Sequence, residues 1–211
     1  CDGFVRCIPR EVAMCYDAIL ICDGAGRLAT SLAQRGLVVG PVMDLAVSPW
    51  YDLLDNGFLE FCLFMAERRR CVFACLAPTC TTFSVARRPR LRSSTCPYGF
   101  RPRERQTFIG NQLSLLCLAI LDAFRRAGLG GMLEHPRSSM ITSLPPYQSL
   151  LAHKEVESDW TSTCGLTHPP GGPSRPDLPV RKEVGYLLVR AAAPFAARRR
   201  LARCVGSAFC A

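Results

Sequence analysis

Of the thirteen cysteines in this 211-residue chain, Cys80 is the one whose surroundings suit chemistry. Most cysteines are buried and behave as small hydrophobes. Cys80 instead follows a break. Cys71 to Leu76 is a run of small and β-branched apolar residues, short enough for a buried strand. Ala77-Pro78-Thr79 stops the ladder, since proline donates no N–H and restricts the residue before it. The thiol then comes among the hydroxyls of Thr79, Thr81, Thr82 and Ser84. A side chain just beyond the carboxyl end of a central strand lies where open α/β sheets place their ligands. Arg87 and Arg88 follow closely enough to favour the thiolate, the nucleophilic form.

The elements that must position this thiol read as alternating strands and helices. Asp17 to Cys22 is a short apolar strand, and Asp23-Gly24-Ala25-Gly26 turns the chain tightly. Arg27 to Arg35 reads as a helix with Leu28 and Leu32 on one face and Gly36 as its stop. Leu37 to Met43 is a second strand ending on Asp44. Such a β–Gly turn–α–β unit, with an acid closing its second strand, suits an adenosine-containing cofactor. The glycines let the backbone approach the ligand, and the carboxylate can accept both ribose hydroxyls. Asn56 to Arg68 is the next helix, with Phe58, Phe61, Cys62 and Met65 on its apolar face. Beyond Cys80, Arg105 to Ala127 reads as one long helix, apolar on almost every side from Leu113 to Phe124 and therefore buried against a sheet. Met132-Leu133-Glu134 is a short strand ending in a carboxylate before His135-Pro136. Pro145 to Ala152 suggests a short helix, Val156 to Trp160 a strand, and Thr161 to Pro179 a loop rich in Gly, Pro, Ser and Thr. Val184 to Arg190 reads as a strand and the region about Phe195 to Leu201 as a helix.

The formal charge of +9, from 26 basic and 17 acidic residues, points to polyanionic partners. The charge is concentrated. Seven arginines (Arg87, Arg88, Arg90, Arg92, Arg101, Arg103 and Arg105) and one acid, Glu104, lie between Val85 and Arg105. Solvated loops are often charged, but a one-sign run directly after the candidate nucleophile is better explained by phosphate contact. Ser84 and the first six of these arginines are the candidate nucleic-acid contacts. The cysteines are odd in number and lack the spacing of a disulfide scaffold, so reduced thiols and an intracellular, including nuclear, setting are expected. Cys204 and Cys210 have no second pair to complete a metal site, and none is expected. The longest charge-free apolar stretch, Thr107 to Leu121, falls short of the ~20 residues that span a bilayer, so no membrane is expected.

Ala77-Pro78-Thr79-Cys80-Thr81-Thr82-Phe83-Ser84 resembles the Gly-Pro-Pro-Cys-Gln-x-Phe-Ser motif of the cytosine-C5 DNA methyltransferases, in which the cysteine attacks the base. Pro, Cys, Phe and Ser are kept. The Gly24–Gly26 turn resembles the same family's Phe-x-Gly-x-Gly motif, with Cys22 in the place of Phe. Leu133-Glu134-His135-Pro136 resembles its Glu-Asn-Val element. Asp52 aligns with its third cofactor element, with Asp55 as the alternative or as a helix cap. Arg181 is the counterpart of the arginine in its Gln-x-Arg-x-Arg strand, although the Gln is absent. The closest resemblance is to the short, divergent methyltransferase-like domains of protist genomes and their mobile elements.

The resemblance implies a Rossmann-like α/β sandwich that binds S-adenosylmethionine, with a mostly parallel sheet and helices on both faces. It implies Cys80, Glu134 and Arg181 as catalytic residues. Cys22, Asp23, Gly24, Gly26, Asp44, Asp52 and Pro78 would line the cofactor site, and DNA, or RNA, would be the substrate. Residues 1–16 give no clear reading. The catalytic core is expected over 17–160, a loop over 161–179, and a completing strand and helix over 180–211, with no separate target-recognition domain. Cys22 for Phe, Thr81 for Gln and the missing Gln-Arg pair favour the other reading, a non-catalytic nucleic-acid-binding relic of the same fold. A Cys-based redox or hydrolytic enzyme would need a basic partner from His135, His153 or His168.

Overall fold

The computed structural model describes residues 16–163 and 182–192. In chain order it runs β1 (Tyr16–Ile21), α1 (Arg27–Gln34), β2 (Val39–Met43), a 3-10 turn (Pro49–Tyr51), α2 (Asn56–Glu67) and β3 (Cys71–Leu76). There follow α3 (Arg105–Arg126), β4 (Gly130–Pro136), a second 3-10 turn (Met140–Ser143), α4 (Pro145–Leu151), β5 (Val156–Thr163) and β6 (Lys182–Val189). The architecture is α/β around one six-stranded sheet in the order β2-β1-β3-β4-β6-β5.

The sheet is mixed rather than mostly parallel. β1 pairs in parallel with both β2 and β3, and β3 with β4. β6 runs antiparallel to both of its neighbours, β4 and β5. β5 reaches Thr163, into the segment read as loop from Thr161. There Thr161, Ser162 and Thr163 pair with Val184, Glu183 and Lys182 in the ladder, and their polar sequence carries no apolar pattern to betray the strand. β2 is an outer strand, which is why it tolerates Pro41.

Successive strand residues face opposite sides, and the two sides carry different helices. Ala18, Leu20, Phe73, Cys75 and Met132 pack with Ala29 and Leu32 of α1. On the other face Ile19, Ile21, Leu76 and Leu133 pack with Phe58 and Cys62 of α2, and with Leu121 and Phe124 of α3. α3 is long and apolar enough, by length and composition, to cross a membrane. Here Cys117, Leu118, Ile120, Leu121, Ala123 and Phe124 of that helix lie within this core. Asp55 is a helix cap: its Oδ1 accepts from the N–H groups of Gly57 (2.8 Å) and Phe58 (3.3 Å). The expected 195–201 helix, Arg181, Cys204 and Cys210 lie outside the described residues, as do residues 1–15.

The order of the strands sets where a ligand belongs. From β1 the chain steps outward to β2, then crosses back over β1 to β3 and continues the other way to β4. The switch point therefore lies between the carboxyl ends of β1 and β3, the crevice where open α/β sheets bind ligands.

Candidate active site at the carboxyl edge of the sheet

Four adjacent parallel strands end at one edge, and each ends on a residue singled out by the sequence. β2 leads into Asp44, β1 into Cys22–Gly24, β3 into Pro78 and Cys80, and β4 carries Glu134. The register aligns Ile21 with both Met43 and Leu76, and Leu76 with Leu133. Ala77 still donates its N–H to Ile21 O at 3.0 Å before buried Pro78 turns the chain away. Cys80 and Glu134 thus leave neighbouring strands on the same side of the molecule.

The Cys80 turn is fixed from several directions. Phe83 N–H donates to Cys80 O at 2.9 Å, and Met140 N–H to Phe83 O at 2.9 Å, tying the turn to the segment after β4. Gly110 lets α3 lie directly against Thr82, because a Cβ there would strike the Thr82 hydroxyl. Arg92 completes the clamp. Its Nε donates to Thr82 O (2.8 Å), its Nη1 to Pro97 O (2.8 Å) and Asn111 Oδ1 (2.7 Å), and its Nη2 to Thr82 Oγ1 (3.0 Å). Its guanidinium carbon lies 3.6 Å from the centre of the fully buried Phe83 ring.

Arg92 is accordingly a correction. Expected among the phosphate contacts, it is 1% exposed and spends four of its five N–H groups inside the protein. Burial lowers its pKa to about 10, so it stays charged at neutral pH. Arg88, Arg90, Arg101, Arg103 and Arg105 are exposed, and Arg87 is half-buried with Nη2 on Gln106 Oε1 at 2.7 Å. Ser84 is half-buried and accepts the Ala86 N–H at 3.2 Å. The ion pairs among the described residues engage Arg125, Arg126, Arg137 and Arg190, and none of these loop arginines.

At the glycine turn, Asp44 accepts the Gly24 N–H on Oδ2 and the Ala46 N–H on Oδ1, each at 2.8 Å. A carboxylate offers about four acceptor positions, so two remain. Gly26 adopts φ +69°, and a Cβ there would lie 2.7 Å from Val42 Cγ2. Gly24, at φ +58°, faces open space. Leu45 and Val47, next to Asp44, expose apolar side chains. Asp52 accepts the Leu54 N–H at 3.0 Å and, with Asp44, acts electrostatically on Cys22. Cys22 is half-buried at φ 61°. A hydrogen bond from the Cys117 thiol lowers its pKa, against burial and the two carboxylates.

Two features had no clear signal in the sequence. Burial pushes the Asp23 carboxyl up to about 6, with Glu134 and Asp44 adding to the rise and the Ala29 N–H opposing it. The glycine turn and Glu134 are therefore electrostatic neighbours. Asn111 is the other: a buried amide in an apolar helix, it accepts from Arg92 and donates to Tyr98 O at 2.8 Å. His135 is structural, with Nε2 3.1 Å from Tyr147 Oη and Nδ1 2.9 Å from Pro136 O; burial lowers its pKa and keeps it neutral. Among the described residues no group of three or more His, Cys, Asp or Glu is placed to hold a metal ion. No protein-family model, curated protein or solved structure matches the chain.

Proposed function

We propose that this chain transfers a methyl group from S-adenosylmethionine to C5 of cytosine in a nucleic acid, DNA first and RNA second, through an adduct on Cys80. The carrying observation is the convergence of the Cys80 turn, Glu134 and the Gly24–Asp44 turn along one edge, across the switch point. The finer fold reading, a Rossmann-like methyltransferase sandwich, is supported by the parallel β2-β1-β3-β4 portion and by helices on both faces.

The residues present fit the cofactor. Open space over Gly24, two unspent acceptor positions on Asp44 and the apolar Leu45 suit an adenosine with its ribose diol. Gly24, Gly26, Asp44 and Asp52 would hold it, with Cys22, Asp23 and Pro78 beside them. When bound, S-adenosylmethionine supplies an electrophilic methyl group.

Cytosine C5 is a poor nucleophile until something adds at C6. The Cys80 thiolate forms the S–C6 bond, and the C5–C6 π electrons move into the ring. Glu134, as the acid, hydrogen-bonds N3 and offsets the charge developing there. After C5 has gained its methyl group, the C5 proton passes to solvent water. The C5–H electron pair restores the C5–C6 double bond, Cys80 leaves as the thiolate, and Glu134 keeps its proton as N3 returns to neutral. The base must leave its stack to reach the thiol, and the exposed arginines would hold the flanking phosphates. The test is transfer of tritium from labelled S-adenosylmethionine to cytosine-containing oligonucleotides. Transfer that requires cytosine supports the reading, and none on any strand or duplex refutes it.

The relic reading also has an observation in its favour. At Cys22 the structure offers a free, half-buried thiol, and no ring to stack on adenine.

A further inference from the structure

The arginine-rich segment carries more than charge. Tyr98, Phe100 and Phe108 are 37%, 57% and 50% exposed, among the exposed Arg101, Arg103 and Arg105. The backbone beneath the rings is held. Phe100 N–H donates to Leu91 O at 2.8 Å, Gly99 N–H to Cys96 O at 3.0 Å, and Asn111 Nδ2 to Tyr98 O at 2.8 Å. Gly99, at φ +99°, lies so close to α3 that a Cβ would be 2.5 Å from Thr107 Cγ2. That contact sets the Tyr98–Phe100 turn beside Phe108, and Arg105 and Phe108 share a helix face at i, i+3. Arg92 joins the same turn, through Pro97, to the Cys80 turn, through Thr82.

We propose that this surface binds an unpaired nucleic-acid strand, with bases stacked on Tyr98, Phe100 and Phe108 and phosphates on Arg101, Arg103 and Arg105. Aromatic rings stack on base faces, which a duplex keeps covered and a single strand presents. Cations interleaved with the rings supply the complementary charge for the backbone. A membrane anchor would instead need a continuous apolar face, and Gln106 and Gln112 interrupt this one. That the strand is delivered to Cys80 rests on the methyl-transfer reading; the strand preference itself does not.

The test is fluorescence anisotropy with a labelled cytosine-containing single strand and its matched duplex. The single strand should bind about tenfold or more tightly than the duplex. Phe100→Ala and Phe108→Ala should each weaken single-strand binding about fivefold to a hundredfold, with the salt slope and duplex binding unchanged. Phe100→Tyr should restore it. Arg103→Gln should reduce the salt slope by about one. Equal affinity for strand and duplex, or unaltered binding by the Phe→Ala variants, would overturn the proposal. So would pelleting with phosphatidylserine vesicles that these variants abolish while oligonucleotide binding persists. Strand preference without methyl transfer supports this surface and counts against the chemistry alone, whereas methyl transfer to duplex without strand preference does the reverse.

Discussion

Asp23 shows how one position can report on the site. Its carboxyl sits at about 6 in the fold, against an ordinary 3.8. A carboxyl raised in this way favours the fold while protonated. Its contribution is full below about 3.8 and is lost as the pH rises through about 6. Thermal melts of Asp23→Asn should match wild type near about pH 4 and exceed it above about pH 6. The same stability difference at both ends would contradict the burial that raises the Asp23 carboxyl. Asp44 affords a second residue-level test. Asp44→Ala removes acceptors from the Gly24 and Ala46 N–H groups and from any ribose, so S-adenosylmethionine binding should weaken by ~1.5–3 kcal/mol. Calorimetry showing unchanged affinity would dismiss the pocket.

At the scale of elements, the Cys80 turn is a structure built around a buried cation. Arg92→Met would leave Thr82 O, Pro97 O and Asn111 Oδ1 without their donor, and orphaned buried groups cost ~1–3 kcal/mol each. Denaturant unfolding should show a loss of about 3–5 kcal/mol. Arg92→Lys should recover only part of it, because an ammonium cannot reproduce the fork. A loss below about 1 kcal/mol would mean that Arg92 does not hold the turn. This is also where the sequence was hardest to read. β3 was legible to the residue, since a six-residue apolar run bounded by Arg70 and the Ala77-Pro78 break is short enough for a strand and too short for a helix. Arg92 looked like every other arginine in its run, because its burial depends on Thr82, Pro97 and Asn111 arriving from three other places. The end of β5 was hidden for a related reason: Thr161 to Thr163 are held by ladder pairing, which leaves no trace in side-chain polarity.

Taken whole, the molecule brings to one edge what the chain spreads from Cys22 to Glu134, and it does so by sheet order. Parallel strands all present their carboxyl ends on the same side, so residues far apart in sequence meet once the register is set. The alternation of apolar runs with helical stretches made that edge foreseeable. The antiparallel β6 between β4 and β5 was not, because strand direction leaves no local mark. The measurement that bears most directly on the account is covalent capture on an oligonucleotide carrying 5-fluorocytosine, where the fluorine at C5 cannot leave as a proton does. With S-adenosylmethionine present, the account expects a stable protein–nucleic acid adduct that maps to Cys80. It should vanish in Cys80→Ser and form more slowly in Glu134→Gln, with nucleic-acid binding intact in both. Salt-sensitive binding with no adduct on any strand or duplex, or an adduct on a different cysteine, would contradict it.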